Sequence, residues 1–374
     1  MKYSIKIIVG LDVHKKTIVV AVLYPGMSQV TERFTIENTT EALEKMVKRL
    51  GGQGPVCFCY EAGPCGYEVY RQLTRLGQEC VVIAPSLTPK KAGDRVKTDQ
   101  RDAEKLARYF RAGELTVVRV PSLEEEAARD LVRVREDALE DQQRARHRLS
   151  KFLLRQGRVY RTGKMWTQRH RRWLQSQRFE PAILEQTYQA YVRMMEETEE
   201  RLRVVEVQVL ALTEHPGYKT IVRSLCCLKG IKELTALTLV VETQDFERFR
   251  RAASYMGFTG LVSSESSSGE RQWRGAITKT GNARLRRVLV EAAWHARHSV
   301  KVTGERLSRR RQGCPEPVVR LARRAEERLH RKYWHLVNRG KKPPIAAVAC
   351  ARELAGFVWA MAREVQQGPS ALAA

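Results

Sequence analysis

The stretch Ile5-Lys6-Ile7-Ile8-Val9-Gly10-Leu11-Asp12-Val13-His14-Lys15-Lys16-Thr17-Ile18-Val19-Val20-Ala21-Val22-Leu23 decides the fold. Two β-branched runs, 5–9 and 17–23, flank a short polar connection, the pattern of two strands joined by a tight turn. A third β-rich run, 30–36, follows Pro25-Gly26. A helical pattern over 40–50 comes next, with Thr40 placed to cap it. Beyond it, a strand at 56–60, a helix at 67–76, a strand at 80–83 and a helix at 99–111 complete the first 115 residues.

Three strands followed by alternating helix and strand is the order of a ribonuclease-H-like sheet. Pro85, Pro89, Lys90, Lys91 and Gly93 make the segment before the last helix an ordered or gating loop. Asp12 stands just after the first strand and Glu61 just after the fourth, while Asp99 and Asp102 share one face of a helix start behind the capping Thr98. In such a sheet the first and fourth strands are neighbours, so the four carboxylates converge. Crowded carboxylates repel unless cations neutralise them, and a pair of hard ions such as Mg2+ meets that need. Two such ions suit in-line displacement at a phosphodiester. His14 reads as structural or DNA-contacting.

The middle of the chain is helical. Ser122 and Glu125 form a capping-box signature. Apolar seams run through Leu131, Val134, Ala138, Ala145, Leu149 and Phe152, and through Leu184, Thr187, Tyr191, Met194, Thr198, Leu202, Val205, Val209 and Leu212. Seams this narrow pack helix on helix, as in a coiled coil. From His215 a compact helical unit follows, in which Leu228-Lys229-Gly230-Ile231 resembles a helix–hairpin–helix turn with amides for a phosphate. The polar segment 263–270 reads as a loop, 283–298 as a helix, and the rest as two appended helices. The expected domains are 1–121, 122–214, 215–310 and an extension, 311–374.

The 374 residues include 67 Lys and Arg against 42 Asp and Glu, a net charge of +25. Of this, +6 lies in 1–120, +3 in 121–220 and +16 in 221–374, all of the last within 271–342. A second basic stretch, 151–180, interleaves Trp166 and Trp173 with nine Lys and Arg and one Glu. Such an excess points to a polyanionic partner. Basic residues mixed with aromatics suit backbone contact plus base stacking. Eight cysteines without a CxxC pair imply reduced thiols in the cytoplasm. The start does not read as a signal peptide. The longest apolar run, 345–362, is interrupted by Arg352 and Glu353 and falls short of a membrane span.

Four separated motifs carry a resemblance. They are Gly10-Leu11-Asp12-Val13-His14-Lys15, Tyr60-Glu61-Ala62-Gly63, Lys97-Thr98-Asp99-x-x-Asp102-Ala103 and Gly275-x-Ile277-Thr278-Lys279-x-Gly281-Asn282-x-x-Leu285-Arg286. Together they resemble the DEDD-type transposases of bacterial insertion sequences, recombinases that use a bridge RNA to choose target and donor DNA. The resemblance implies a RuvC-like first domain whose Asp12, Glu61, Asp99 and Asp102 bind Mg2+. It implies a coiled-coil middle and a helical C-terminal transposase domain supplying a serine nucleophile. That serine falls on Ser268, with Ser267 the second choice, because Val262-Ser263 stands where the family commonly has x-Pro. A homodimer or homotetramer, with sites shared between copies, is also implied.

Arg271, Arg274, Lys279, Arg284, Arg286 and Arg287 are the candidate nucleic-acid contacts. A metal-dependent structure-specific nuclease with an inert serine loop, and an inactive nucleic-acid scaffold, are the alternatives.

Overall fold

A computed structural model describes residues 5–89, 98–268, 271–300 and 304–367. Two compact units, 1–121 and 122–374, divide the chain. The expected boundaries at 214/215 and 310/311 do not delimit compact units of their own.

The first unit runs β1 (Ile7–Val13), β2 (Thr17–Leu23), β3 (Glu32–Glu37), α1 (Thr40–Gly51), β4 (Val56–Glu61), α2 (Glu68–Arg75), β5 (Glu79–Ile83), a 3-10 turn Pro85–Leu87, α3 (Asp99–Ala112) and β6 (Val117–Val118). The sheet order is β3-β2-β1-β4-β5-β6, with β1 parallel to β4, β4 parallel to β5, and the other pairs antiparallel. This mixed α/β unit, ahead of a mostly helical remainder, is consistent with a RuvC-like fold. The two-residue β6 is too short to leave a periodic signal. Several expected edges move: β1 runs on through Asp12 and β4 through Glu61. Thr39, not Thr40, caps α1, its hydroxyl accepting from the Ala42 amide. The expected gating loop lies outside the described residues over 90–97.

Alternation along β1 sorts its side chains between two cores. Ile7, Val9 and Leu11 join Phe58, Tyr60, Leu43, Met46 and Leu73 beneath α1 and α2. Ile8 faces the other way with Cys57, Cys59, Ala103, Leu106, Ala107 and Phe110 beneath α3. Gly10 lies on this second face, and α3 is seated directly on it. A Cβ at Gly10 would stand 2.2 Å from the Ala103 carbonyl oxygen and 2.8 Å from the Ala107 amide nitrogen. Asp99, Ala103 and Ala107 recur every four residues on one ridge of α3, so the contact that seats the helix also aims its first turn.

The second unit contains α4 (Leu123–Arg155), α5 (Gln168–Ser176), α6 (Ala182–Thr213), α7 (Pro216–Leu225), α8 (Glu233–Thr243), α9 (Ala252–Phe258), β7 (Ser263–Ser268), β8 (Arg271–Ile277), α10 (Ala283–Ala293), a 3-10 turn Trp294–Arg297, α11 (Glu305–Arg311), α12 (Glu316–Asn338) and α13 (Pro343–Gln367). Ser122 and Glu125 cap α4 with the expected reciprocal box. The helices α4 and α6 pack antiparallel, with Arg135 on Glu206 and Arg146 on Glu199. In α6 the buried seam is Tyr188, Met195, Leu202 and Val209, seven residues apart, while the expected Thr187 and Met194 are exposed. In α4 it is Val132 that is buried, and the expected Val134 is exposed.

Three expectations change in this unit. The polar segment 263–268 is a strand paired with β8, so the unit is not all helix. Helices α12 and α13 are not appended, since Val318, Ala322, Ala346, Ala351 and Val358 share one core with α7, α8 and α10. Helix α13 is long and apolar enough to cross a membrane by length and composition, contrary to the run-length reading, but 56% of that window is buried within the unit.

The turn at 228–231 is packed inside the unit. A Cβ at Gly230 would meet the Ala292 carbonyl oxygen at 2.4 Å, and the Lys229 ammonium reaches Glu326 at 3.0 Å and the carbonyl oxygens of His298 and Ser299. Its basic residue therefore serves the fold.

Gly10→Ala should lower the melting temperature of the first unit's transition and cost more than the 1–3 kcal/mol or so of ordinary overpacking, because backbone cannot yield as a rotamer does. Thermal unfolding followed by circular dichroism checks this. A loss below about 1 kcal/mol would show that α3 does not rest on the strand.

Candidate active site

Asp12 and Glu61 end adjacent parallel strands. Leu11 pairs with Tyr60, so Asp12 and Glu61 are the next residues along and lie on the α3 face with Gly10 and Cys59. Thr98 caps α3 by accepting from the Arg101 amide, which places Asp99 and Asp102 in the first turn, where the helix dipole favours anions. The β1–β2 turn presents His14. The His14 amide donates to the Thr17 carbonyl, and the Asn38 side chain donates to the His14 carbonyl at 2.8 Å, so the turn is pinned on both sides.

The structure brings Asp12, His14 and Asp99 together, with one donor atom from each within 4.8 Å of the other two. The imidazole Nε2 stands 3.3 Å from a carboxylate oxygen of Asp12 and 3.3 Å from one of Asp99. Donors bound side by side at roughly 2.0–2.2 Å from one cation lie ~3 Å apart, so the three atoms suit a shared divalent ion with little movement. Asp102 is close enough to raise the Asp12 pKa, and it pairs with Lys105 at 3.6 Å. Glu61 is not in the tight group; its carboxylate accepts a 2.7 Å hydrogen bond from the Thr88 hydroxyl. His14, expected as a structural or DNA-contacting neighbour, is thus a full member of the cluster. Its signal was the spacing Asp12-Val13-His14, which puts two donors on one side of a strand end.

Burial pushes the Asp12 carboxyl up from its ordinary value, and repulsion from Asp99 and Asp102 adds to this against the opposing pull of His14. The folded chain therefore holds the Asp12 proton more tightly than the unfolded chain does. This group's contribution is most favourable at low pH and is lost as pH rises through the raised value. A bound cation relieves that penalty.

Ser268 is exposed at the end of β7, paired in register with Arg271, whose side chain lies outside the described set together with that of Ser267. Arg274 is exposed and pairs with Glu265 at 3.5 Å. Lys279 is exposed and holds a left-handed backbone, φ 56°, between Gly260 and Gly281. A Cβ at either glycine would meet a backbone carbonyl oxygen at 2.1 Å, that of Thr280 for Gly260 and of Phe258 for Gly281. The three helical arginines have intramolecular partners: Arg284 and Arg287 both pair with Glu136 of α4, and Arg286 donates to the Thr259 carbonyl at 3.0 Å. Beside them Asn282 caps α10 and donates to the buried Glu242, which Arg133 grips with two nitrogens. Sequence reasoning missed this network because its acids lie about 40 and 150 residues from their partners.

Two family profiles match the chain. One, of the DEDD transposases of the IS110 type and described as transposase, covers residues 9–156; the other, described as the transposase IS116/IS110/IS902 family, covers 222–308. A Sinorhizobium fredii protein described as transposase y4qE is 40% identical over 97% of this chain and 90% of its own length. The transposase for insertion sequence element IS1533 of Leptospira borgpetersenii is 35% identical over 90% of this chain and 98% of its own. The chain belongs to the IS110/IS116 family of transposases. The carboxylate–histidine cluster lies within the first matched span, and Ser268 within the second.

Divalent cation at millimolar concentration should raise the melting temperature of this transposase by about 3–6 °C, as expected for binding near a hundredfold over Kd. Asp12→Asn should abolish that rise, yet without metal near neutral pH it should melt at or above the wild type, since the strained carboxylate is gone. Calorimetry with and without chelator reads both. A metal-free Asp12→Asn that melts well below the wild type contradicts the electrostatic account.

Proposed function

We propose that this transposase cuts and rejoins DNA through a covalent phosphoserine intermediate, in the cytoplasm, with Mg2+ held by Asp12, Glu61, Asp99 and Asp102. The convergence of Asp12, His14 and Asp99 at the sheet end carries the metal part of this reading. Mg2+, when bound, supplies charge neutralisation at the scissile phosphate. Asp12 and Asp99 orient it from the strand end and the helix start, and Thr88 fixes the Glu61 carboxylate.

Ser268 attacks the phosphorus. A serine–phosphate ester forms as the bond to one deoxyribose oxygen breaks; the serine gives up its proton and the departing oxygen gains one. The reverse step reseals a strand, so no water is consumed. The exposure of Ser268 at the turn end of a hairpin, and the cations Arg271, Arg274 and Lys279 on and after β8, support this assignment. The serine chemistry and guidance by a bridge RNA come from the family resemblance. A homodimer or homotetramer acting on target and donor DNA completes the reading, with the C-terminal basic excess as electrostatic support.

Incubating the protein with Mg2+, guide RNA and matched DNA should yield a protein–DNA adduct that survives denaturation. Ser268→Ala should abolish the adduct and Ser267→Ala should keep it; the opposite result moves the nucleophile by one residue. Cleaved ends without any adduct would replace this reading with a metal-dependent nuclease.

A further inference from the structure

The basic stretch 151–180 builds a small folded tip where α4 and α6 are joined. Tyr160, Trp166, His170 and Trp173 pack ring on ring, with His170 and Trp173 stacked at 5.6 Å. Phe152, Leu174 and Tyr188 lie in the same cluster. A cleft of about 190 Å3 opens beside them, with Tyr160, His170, Trp173 and Met165 among its walls and Lys151 and Arg158 among its lining cations. Eight of the nine cations of this stretch are exposed; the ninth, Arg171, is bound by Glu199 at 2.7 Å.

Two residues of the cleft lining, His170 and Tyr160, each carry a buried polar atom without a hydrogen-bond partner among the described residues. His170 is 1% exposed, and its Nδ1 accepts from the Trp166 amide at 3.1 Å. Burial and the neighbouring Arg171 lower its pKa and favour the neutral ring, so the proton sits on Nε2. That buried Nε2 and the buried Tyr160 hydroxyl make no hydrogen bond among the described residues. A donor held dry in a cleft is costly unless a ligand answers it.

We infer that this cleft binds one unpaired nucleobase of a single-stranded nucleic acid, with the surrounding cations holding its flanking phosphates. The volume is below the roughly 300–1,000 Å3 of drug-sized pockets and suits one heteroaromatic ring. The apolar and aromatic walls supply stacking, and Nε2–H and the tyrosine hydroxyl meet ring nitrogens or carbonyls that only an unpaired base exposes. The inference rests on the reading that this chain handles nucleic acid, and it assigns a subsite within the second unit, whereas the carboxylates belong to the first. RNA and single-stranded DNA share the recognised chemistry.

The test uses the full-length protein with short single strands carrying 4-thiouridine or 4-thiothymidine. Irradiation should cross-link the thiobase to residues within 159–173, mapped by peptide mass spectrometry, and the stronger of the two arms names the source. Arg158→Ala and Tyr160→Phe should each reduce the cross-link about tenfold, the latter with a ligand-free melting temperature equal to or above the wild type, because its buried hydroxyl has no hydrogen-bond partner among the described residues. An equal-length duplex should not compete.

Cross-links only outside 159–173, full competition by duplex, or an undiminished cross-link in Tyr160→Phe would overturn the inference. If the phosphoserine adduct forms while this cleft stays unlabelled, the cleft assignment fails and the recombinase reading stands. A labelled cleft without any adduct keeps the cleft and removes the recombinase reading.

Discussion

A missing side chain on β1 sets the geometry of the first unit. With no Cβ at Gly10, the backbone of α3 descends onto the strand until Ala103 and Ala107 touch it. Two residues along the strand stands Asp12; four residues back along the helix ridge stands Asp99. The close approach is therefore what brings the two carboxylates onto a common donor, His14. Any side chain at position 10 would lift the helix start, where burial, together with Asp99 and Asp102, raises the Asp12 pKa. Fold and site share one contact.

In the second unit the organising interaction is electrostatic. Glu242 has a side chain 1% exposed and is answered by Arg133 and Asn282, while Glu136 answers Arg284 and Arg287. These bonds tie α4 to α8 and to the start of α10, the helix that follows the serine hairpin. A carboxylate buried this deeply is tolerated only when fully paired, and removing one partner typically costs about 3–5 kcal/mol. Part of the basic excess in 271–342 is thereby committed to holding the unit together. Other cations face outward, among them Arg274, Lys279, Arg320, Arg323, Arg324 and those at the tip of α4 and α6.

The first unit was largely legible in the sequence because its strands are buried on two faces and bounded by turns. Of the acidic motif, Asp12 and Asp99 stand together at a strand end and a helix start, while Glu61 lies outside that tight group. His14 was underrated, because a histidine after a strand says nothing of its partners until α3 is placed. The hairpin β7–β8 is hard to see in the sequence because five serines give no apolar alternation and its Trp273 is mostly exposed. In α6 the three-four pattern admits a seam through Thr187 and Met194 or, one residue on, through Tyr188 and Met195, and only the partner helix decides. Helices α12 and α13 were set apart by the prolines before them, and only tertiary packing shows that they complete the core.

The central claim is that strand end, turn and helix start hold one cation together. Loading the protein with Fe2+ in place of Mg2+ and adding ascorbate and peroxide generates hydroxyl radicals at the bound ion, which cut the backbone beside it. The account predicts cuts around residues 10–14 and 98–103 in the same molecule, suppressed by excess Mg2+ and absent in Asp12→Asn. Cuts at only one of these segments, or at neither while iron remains bound, would contradict it.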